Sequence, residues 1–331
     1  MGYTDASKYE LLYDLPKGEY RKAEVGGIRT RTIRAGNTIE VECYPLTRIG
    51  PAAVREYERR RKSREAQEKA NRRNAERKCR RYIEVNFDGN DWVLTLTWDY
   101  GAIDRFTMSR ADADALWKKL RLPVTEEEAR RALNNYYRRI KTRMRQLGEN
   151  PAEFKHLYVL EITRGKVDGW EHYHFHVVLH APGLTADALK QLWPFGFARC
   201  DRLSFRDDGP ARLAHYLTKQ HTTEEVTPEG KRLRRWGHSQ NLKEPDVTVS
   251  DRKLSRRRAA KIAMDVEQNG VEIFEKLYPG YKCVETPVVK FSEFVAGAYI
   301  YARLRKAEDM RPPWERAAGR RAREEGLGIR D

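Results

Sequence analysis

Residues 170–180 read WEHYHFHVVLH. The chain has 8 histidines, and His172, His174, His176 and His180 all fall in this stretch. On a strand, side chains two apart share a face. His172, His174, His176 and Val178 would then line one face. Tyr173, Phe175, Val177 and Leu179 would line the other, which is apolar enough to pack against helices. That division describes one strand of an antiparallel sheet with helices on its apolar side.

The neighbouring segments extend this sheet. HLYVLEIT (residues 156–163) reads as a strand and RGKVDG as a turn, so the histidine stretch is the return strand of a hairpin. Folding the hairpin about Val167 and Asp168 sets Glu161 opposite His174. Upstream, YIEVNFDGNDWVLTLTW (82–98) reads as a strand, a DGND turn and an apolar strand from Trp92 to Trp98. Residues 124–148 read as a helix. Thr125 caps it, the glutamates that follow suit its positive end, and Gly148 stops it. Leu133, Tyr136, Tyr137, Ile140, Met144 and Leu147 recur at helical spacing. Downstream come a short helix in TADALKQLW (185–193), a strand in GFARCDRLS (196–204) and a helix within residues 209–220. The order of elements points to an α+β fold with one antiparallel sheet flanked by helices.

The flanks read differently. IRTRTIRAGNTIEVECY (28–44) is two strands around the turn AGN, and residues 53–82 form a charge-dense, exposed helix. SRRRAAKIAMDVEQ (255–268) is helical, and YKCVETPVVKFSEF (281–294) is strand-like. The expected organisation is an N-terminal extension (1–80), a central domain (81–245), a C-terminal α/β extension (246–305) and a disordered basic tail (306–331).

A net charge of +16 in 331 residues favours a polyanionic partner, nucleic acid first. Cys43, Cys79, Cys200 and Cys283 are scattered without a CxxC, so neither a zinc ribbon nor a disulfide framework is indicated, and a reducing cytoplasm is expected. No apolar run approaches the ~20 residues of a membrane span, and the N-terminus lacks the basic and apolar regions of a signal peptide.

Two imidazoles at i and i+2 beside an opposing carboxylate form a two-histidine, one-carboxylate set suited to a divalent ion. His174 and His176 are favoured because HFHVVL runs into the apolar anchor of the strand; His172 is the substitute. The plainer alternative is an exposed polar strand face. Three chemistries use such ligands: non-haem iron oxygenation, zinc-dependent hydrolysis, and phosphodiester chemistry. The helix ARLAHYLTKQ (211–220) favours the third. Tyr216 and Lys219 share a helix face with Arg212 one turn back, beside the apolar pair Leu213 and Leu217. A phenol there is a candidate nucleophile that the other two chemistries do not need.

WVLTLTW, HYHFHVVL and AHYLTK resemble, in order, the three motifs of HUH endonucleases, the rolling-circle replication initiators of phages, plasmids and related mobile elements. The resemblance spans about residues 80–245, and RRWGHSQNL (234–242) resembles a segment that follows the tyrosine motif in several initiators. It implies an RRM-like antiparallel sheet with the tyrosine helix alongside. It implies Mg²⁺ or Mn²⁺ on Glu161, His174 and His176, Tyr216 as nucleophile, and Lys219 as its companion. Thr95 and Thr97 sit in the first motif, in a structural role.

The implied partners are single-stranded or extruded origin DNA and a host polymerase and helicase, in the cytoplasm of a bacterial host. Arg212, Arg234, Arg235 and Trp236 are DNA-binding candidates, and Trp170, Tyr173 and Trp193 further stacking candidates. The chain departs from two-tyrosine initiators, since Arg212 stands one turn before Tyr216. It also carries no Walker A sequence for a fused helicase. A relaxase or transposase with the same chemistry, or a non-catalytic RRM-like nucleic-acid-binding protein, would share much of this pattern.

Overall fold

The computed structural model describes residues 25–47, 64–98, 124–164, 171–205, 210–211, 213–215, 236–291 and 297–310. The chain divides into two units, residues 75–244 and residues 1–74 with 245–331. Among the described residues the elements run β1 (Val25–Ala35), β2 (Thr38–Thr47), α1 (Arg64–Asn86), β3 (Trp92–Thr97), α2 (Glu126–Gln146), β4 (Lys155–Arg164), β5 (Glu171–His180) and α3 (Ala186–Gln191). They continue with β6 (Ala198–Arg202), β7 (Trp236–His238), β8 (Asp246–Ser250), α4 (Arg256–Met264), a π-helical turn (Val266–Gly270), α5 (Val271–Leu277), β9 (Tyr281–Cys283), β10 (Val288–Phe291), β11 (Ala298–Lys306) and a 3₁₀ turn (Ala307–Met310). The class is α+β, as expected.

The central unit is built on a five-stranded antiparallel sheet in the order β6-β3-β5-β4-β7. Alternation assigns its two faces. Trp92, Leu94 and Leu96 of β3 and Tyr173, Phe175, Val177 and Leu179 of β5 join one core with α2 and α3. The α2 stripe that meets them is Ala129, Ala132, Leu133, Tyr136, Tyr137, Ile140 and Met144. Each such large apolar side chain contributes about 1.5–3 kcal/mol on full burial. α2 begins with a capping box: Thr125 Oγ1 accepts from Glu128 N, and a Glu128 carboxylate oxygen accepts from Thr125 N. Leu147, expected in the stripe, is 45% exposed because it is the C-cap and has left the helix. Gly148 follows with φ +79°, the left-handed stop that glycine allows.

Among the described residues, α1 covers one end of the opposite face of this sheet. Leu157, Val159 and Val178 pack there with Cys79, Tyr82, Ile83 and Phe87. This corrects two expectations. Residues 82–86 continue α1 rather than forming a strand, and the last turns of the charged helix are buried, Arg80, Arg81 and Glu84 included. YIEVNF alternates like a strand, yet Cys79, Tyr82, Ile83 and Asn86 also fall at helical spacing. Packing on the sheet selects the helix.

In the other unit, strands from both ends of the chain form one antiparallel sheet in the order β10-β11-β2-β1-β8, with β9 also on β11. Segments read from sequence as separate extensions thus share a second sheet. Ile28, Val41, Cys43, Ile300 and Leu304 pack with Ile262, Phe274 and Tyr278 of the helical segment. On the opposite face, buried Arg31 pairs with Glu42 at 3.0 Å, and Tyr301 donates to Glu40 at 3.0 Å. Residues 311–331 of the expected tail lie outside the described residues.

Candidate functional site

The β4–β5 register pairs Glu161 with His174 and Val159 with His176. This is the relation expected of a hairpin centred on Val167 and Asp168, which themselves lie outside the described residues. On the other side of β5, Thr97 pairs with His174 and Thr95 with His176. One face of the sheet therefore carries Thr95, Thr97, Glu161, Thr163, His172, His174 and His176, beyond the end on which α1 packs.

Glu161 and His176 are in contact. Glu161 Oε2 lies 2.9 Å from His176 Nε2, and both side chains are largely buried. With Glu161 as a carboxylate, the contact places the imidazole proton on Nε2. Nδ1 is then an acceptor, and the Thr95 hydroxyl lies 3.3 Å from it, able to donate. His174 turns elsewhere, with Nε2 3.2 Å from Thr163 Oγ1. Burial is the main cause that holds the His174 imidazole below its usual pKa; His176 and His172 push the same way and Glu161 opposes them. Burial thus favours the neutral ring, the form in which imidazole donates a lone pair to a metal.

Among the described residues, no three His, Cys, Asp or Glu side chains converge closely enough to hold one ion. The donor set still fits a divalent cation in kind: one carboxylate and two imidazoles share a face, and two of the three donors already touch.

Leu213 and Ala214, from the helix that leads to Tyr216, join the cluster of Tyr82, Ile83, Leu157, Val159 and Val178 on this same face. The adjoining His215 Nδ1 lies 3.3 Å from Glu76 Oε2 on α1. Tyr216, Lys219, Arg212, Arg234, Arg235 and Trp170 lie outside the described residues.

Trp236 is half-buried on β7, where its partner on β4 is Val159. Its ring lies 6.3 Å from that of Tyr82, with Lys78 Nζ 5.7 Å from its centroid. Gly237 follows because the Tyr158 ring fills the place of a side chain; a Cβ there would meet it at 2.9 Å. Tyr173 and Trp193 are not stacking surfaces. They are 2% and 3% exposed in the core under α2, where Trp193 Nε1 donates to Thr97 O. The sequence did not disclose that Thr95 and Thr163 are hydrogen-bond partners of the imidazoles. Their alternation with apolar residues on β3 and β4 was the available signal. His180, without a role in the sequence reading, pairs with buried Asp91 at 2.6 Å.

Residues 91–221 match the family model "Replication-associated protein ORF2/G2P". The matched segment is less than half of the 331-residue chain and spans β3, the histidine strand and the Tyr216 segment. The match supports a replication-associated, Rep-type role. No curated protein and no solved structure matches the chain. Among the described residues, no helix is long and apolar enough to cross a membrane.

Proposed function

We propose that the unit of residues 75–244 is a tyrosine endonuclease that nicks single-stranded or extruded DNA at a rolling-circle origin and so initiates replication. The observation that carries this reading is the Glu161–His176 pair, with His174 beside it, on the sheet face where Leu213 and Ala214 pack just before Tyr216. The family match over the same residues supports it.

Tyr216 is the nucleophile. Its phenol, with an ordinary pKa of about 10, must lose a proton to solvent or a base, and the Lys219 ammonium stabilises the phenolate. The phenolate oxygen attacks the scissile phosphorus in line. A phosphorus–oxygen bond to Tyr216 forms, the bond to the 3′ oxygen breaks, and that oxygen takes up a proton from water. The products are a 5′-phosphotyrosyl link and a free 3′-OH. The link conserves the phosphodiester bond for rejoining, and the 3′-OH primes a host polymerase, with a host helicase opening the duplex. Glu161, His174 and His176 would hold Mg²⁺ or Mn²⁺, with His172 as the substitute ligand; such an ion, when bound, supplies charge neutralisation at the phosphate. Arg212, Arg234 and Arg235 follow the DNA backbone beside Trp236, in the cytoplasm of a bacterial host.

The test is to incubate the protein with Mn²⁺ and labelled single-stranded DNA from its own replicon and look for a covalent adduct on a denaturing gel. An adduct lost in Tyr216→Phe is expected. An adduct that persists in that variant removes Tyr216 as nucleophile. Absence of an adduct with every origin-derived strand favours a non-catalytic nucleic-acid-binding protein.

A further inference from the structure

Phe197 is 60% exposed, although the core of its unit is rich in aromatic rings. Its neighbour Phe195 is packed into that core beside Trp98 and Trp193, with ring centroids at 5.9 and 5.1 Å. The core's need for an aromatic side chain at this turn is thus met two residues earlier.

The backbone of Phe197 is fixed. Leu96 pairs with Ala198 at the end of the β3–β6 ladder, and Thr97 N donates to Phe197 O at 3.0 Å, extending the ladder by one residue. Alternation then decides where the ring points. Ala198 and Cys200 pack against the core under α2, so Phe197 and Arg199 belong to the opposite face. Thr97 pairs with His174, and His174 with Glu161. Phe197, Thr97, His174 and Glu161 therefore form one row across the histidine face. Two inter-strand spacings put Phe197 roughly 10 Å from His174. Arg199, exposed and ion-paired with Asp201 at 2.7 Å, is the next residue of β6 on that face.

We infer that Phe197 is a stacking platform for an unpaired nucleobase next to the phosphate held at the Glu161–His174–His176 face. An exposed flat ring in a polar row, on a chain of net charge +16, matches the pattern by which single-stranded nucleic acid is held: bases on aromatic faces and phosphates near cations. The inference rests on the proposed function and adds to it the place where one base beside the scissile phosphate is held. Such stacking needs a π face more than a particular base, so Phe197 sets position and not sequence.

The test measures affinity for a fluorescein-labelled oligodeoxythymidylate by anisotropy, and quenching of a 2-aminopurine placed at successive positions of the same strand, without added metal. Phe197→Ala and Phe197→Leu are expected to bind roughly 10-fold more weakly, the size of one lost base stack, while Phe197→Trp retains affinity. Quenching at one position is expected to vanish in the Ala and Leu variants. Thermal melts of all variants are expected to match the parent, since the ring is exposed. If Phe197→Leu binds as tightly as the parent, or Phe197→Ala is unchanged, the platform is refuted while the nuclease reading stands. If Phe197→Ala instead turns a dimer into a monomer with DNA affinity intact, the ring serves a second copy of the chain and the inference fails. If the parent chain binds no single-stranded DNA at all, the proposed function fails and the platform with it.

Discussion

Glu161 Oε2 lies 2.9 Å from His176 Nε2, although the residue directly opposite Glu161 on the neighbouring strand is His174. The carboxylate thus leans diagonally along the sheet, toward the more buried of the two imidazoles. Glu161→Ala is expected to weaken Mn²⁺ binding at least about tenfold, because it removes the only anionic donor of the proposed ligand set. Titration calorimetry against the parent chain measures this. Equal Mn²⁺ affinity in the two proteins would remove Glu161 from the metal site.

Thr95 is expected to support the His176 tautomer that the Glu161 carboxylate selects. Its hydroxyl lies 3.3 Å from Nδ1 and can donate to it when the proton sits on Nε2 against Glu161. Thr95→Val keeps the shape and loses this support. Mn²⁺ affinity should fall roughly 10-fold, the scale of a lost outer-shell partner, with little change in the melting temperature. The ¹⁵N shifts of the His176 ring should move as well. A variant with unchanged shifts and unchanged affinity would show that the hydroxyl only fills space.

Acid stability should report on His156. This imidazole stacks on Tyr137 with centroids 3.9 Å apart, and burial pushes its pKa from 6.5 down to about 4, with Lys141 and His238 adding to the shift. The folded chain keeps the ring neutral while the unfolded chain protonates it near pH 6.5. The contribution is therefore present above that pH and is lost as pH falls through about 4. His156→Phe keeps the stacking and removes the titration. Urea unfolding at pH 7 and pH 5 should show a smaller acid loss in the variant, by on the order of 1–2 kcal/mol. Parallel loss in both proteins would reject the account.

Gly237→Ala should destabilise the edge of the central sheet. The new Cβ would stand 2.9 Å from the Tyr158 ring, which packs over β7 at that point. Overpacking of this kind costs about 1–3 kcal/mol. Tyr158→Ala, which opens the space, should make the Gly237→Ala change nearly neutral in a double-mutant cycle. Full additivity of the two would place the strain elsewhere.

The hairpin and its two faces were legible because their signals are local: a period of two, a turn of known length, and a register that follows from its midpoint. The capping box of α2 was legible for the same reason. The misreadings came where tertiary packing decided between two valid periods, as at Tyr82–Asn86, or where alternation was masked. β11, AYIYARLRK, buries residues on both faces, Arg303 and Arg305 among them, so no polar face marked it as a strand. The joining of β2 to β11 could not be read locally, because Cys43 and Ile300 are paired across most of the chain. At the site, the sequence named the imidazoles and the carboxylate but not the hydroxyls that orient them. A threonine in a strand is ordinary until its cross-strand neighbour is known.

That long-range pairing bears on the order in which the molecule comes off the ribosome. β1 and β2 are made early, but β8 and β11, their outer partners in the sheet, are translated only after the whole of residues 75–244. Loop closure over such a span is slow compared with the local contacts of the intervening unit. The histidine-bearing sheet can therefore condense while the first hairpin still waits, both of its edges unpaired, for its outer strands.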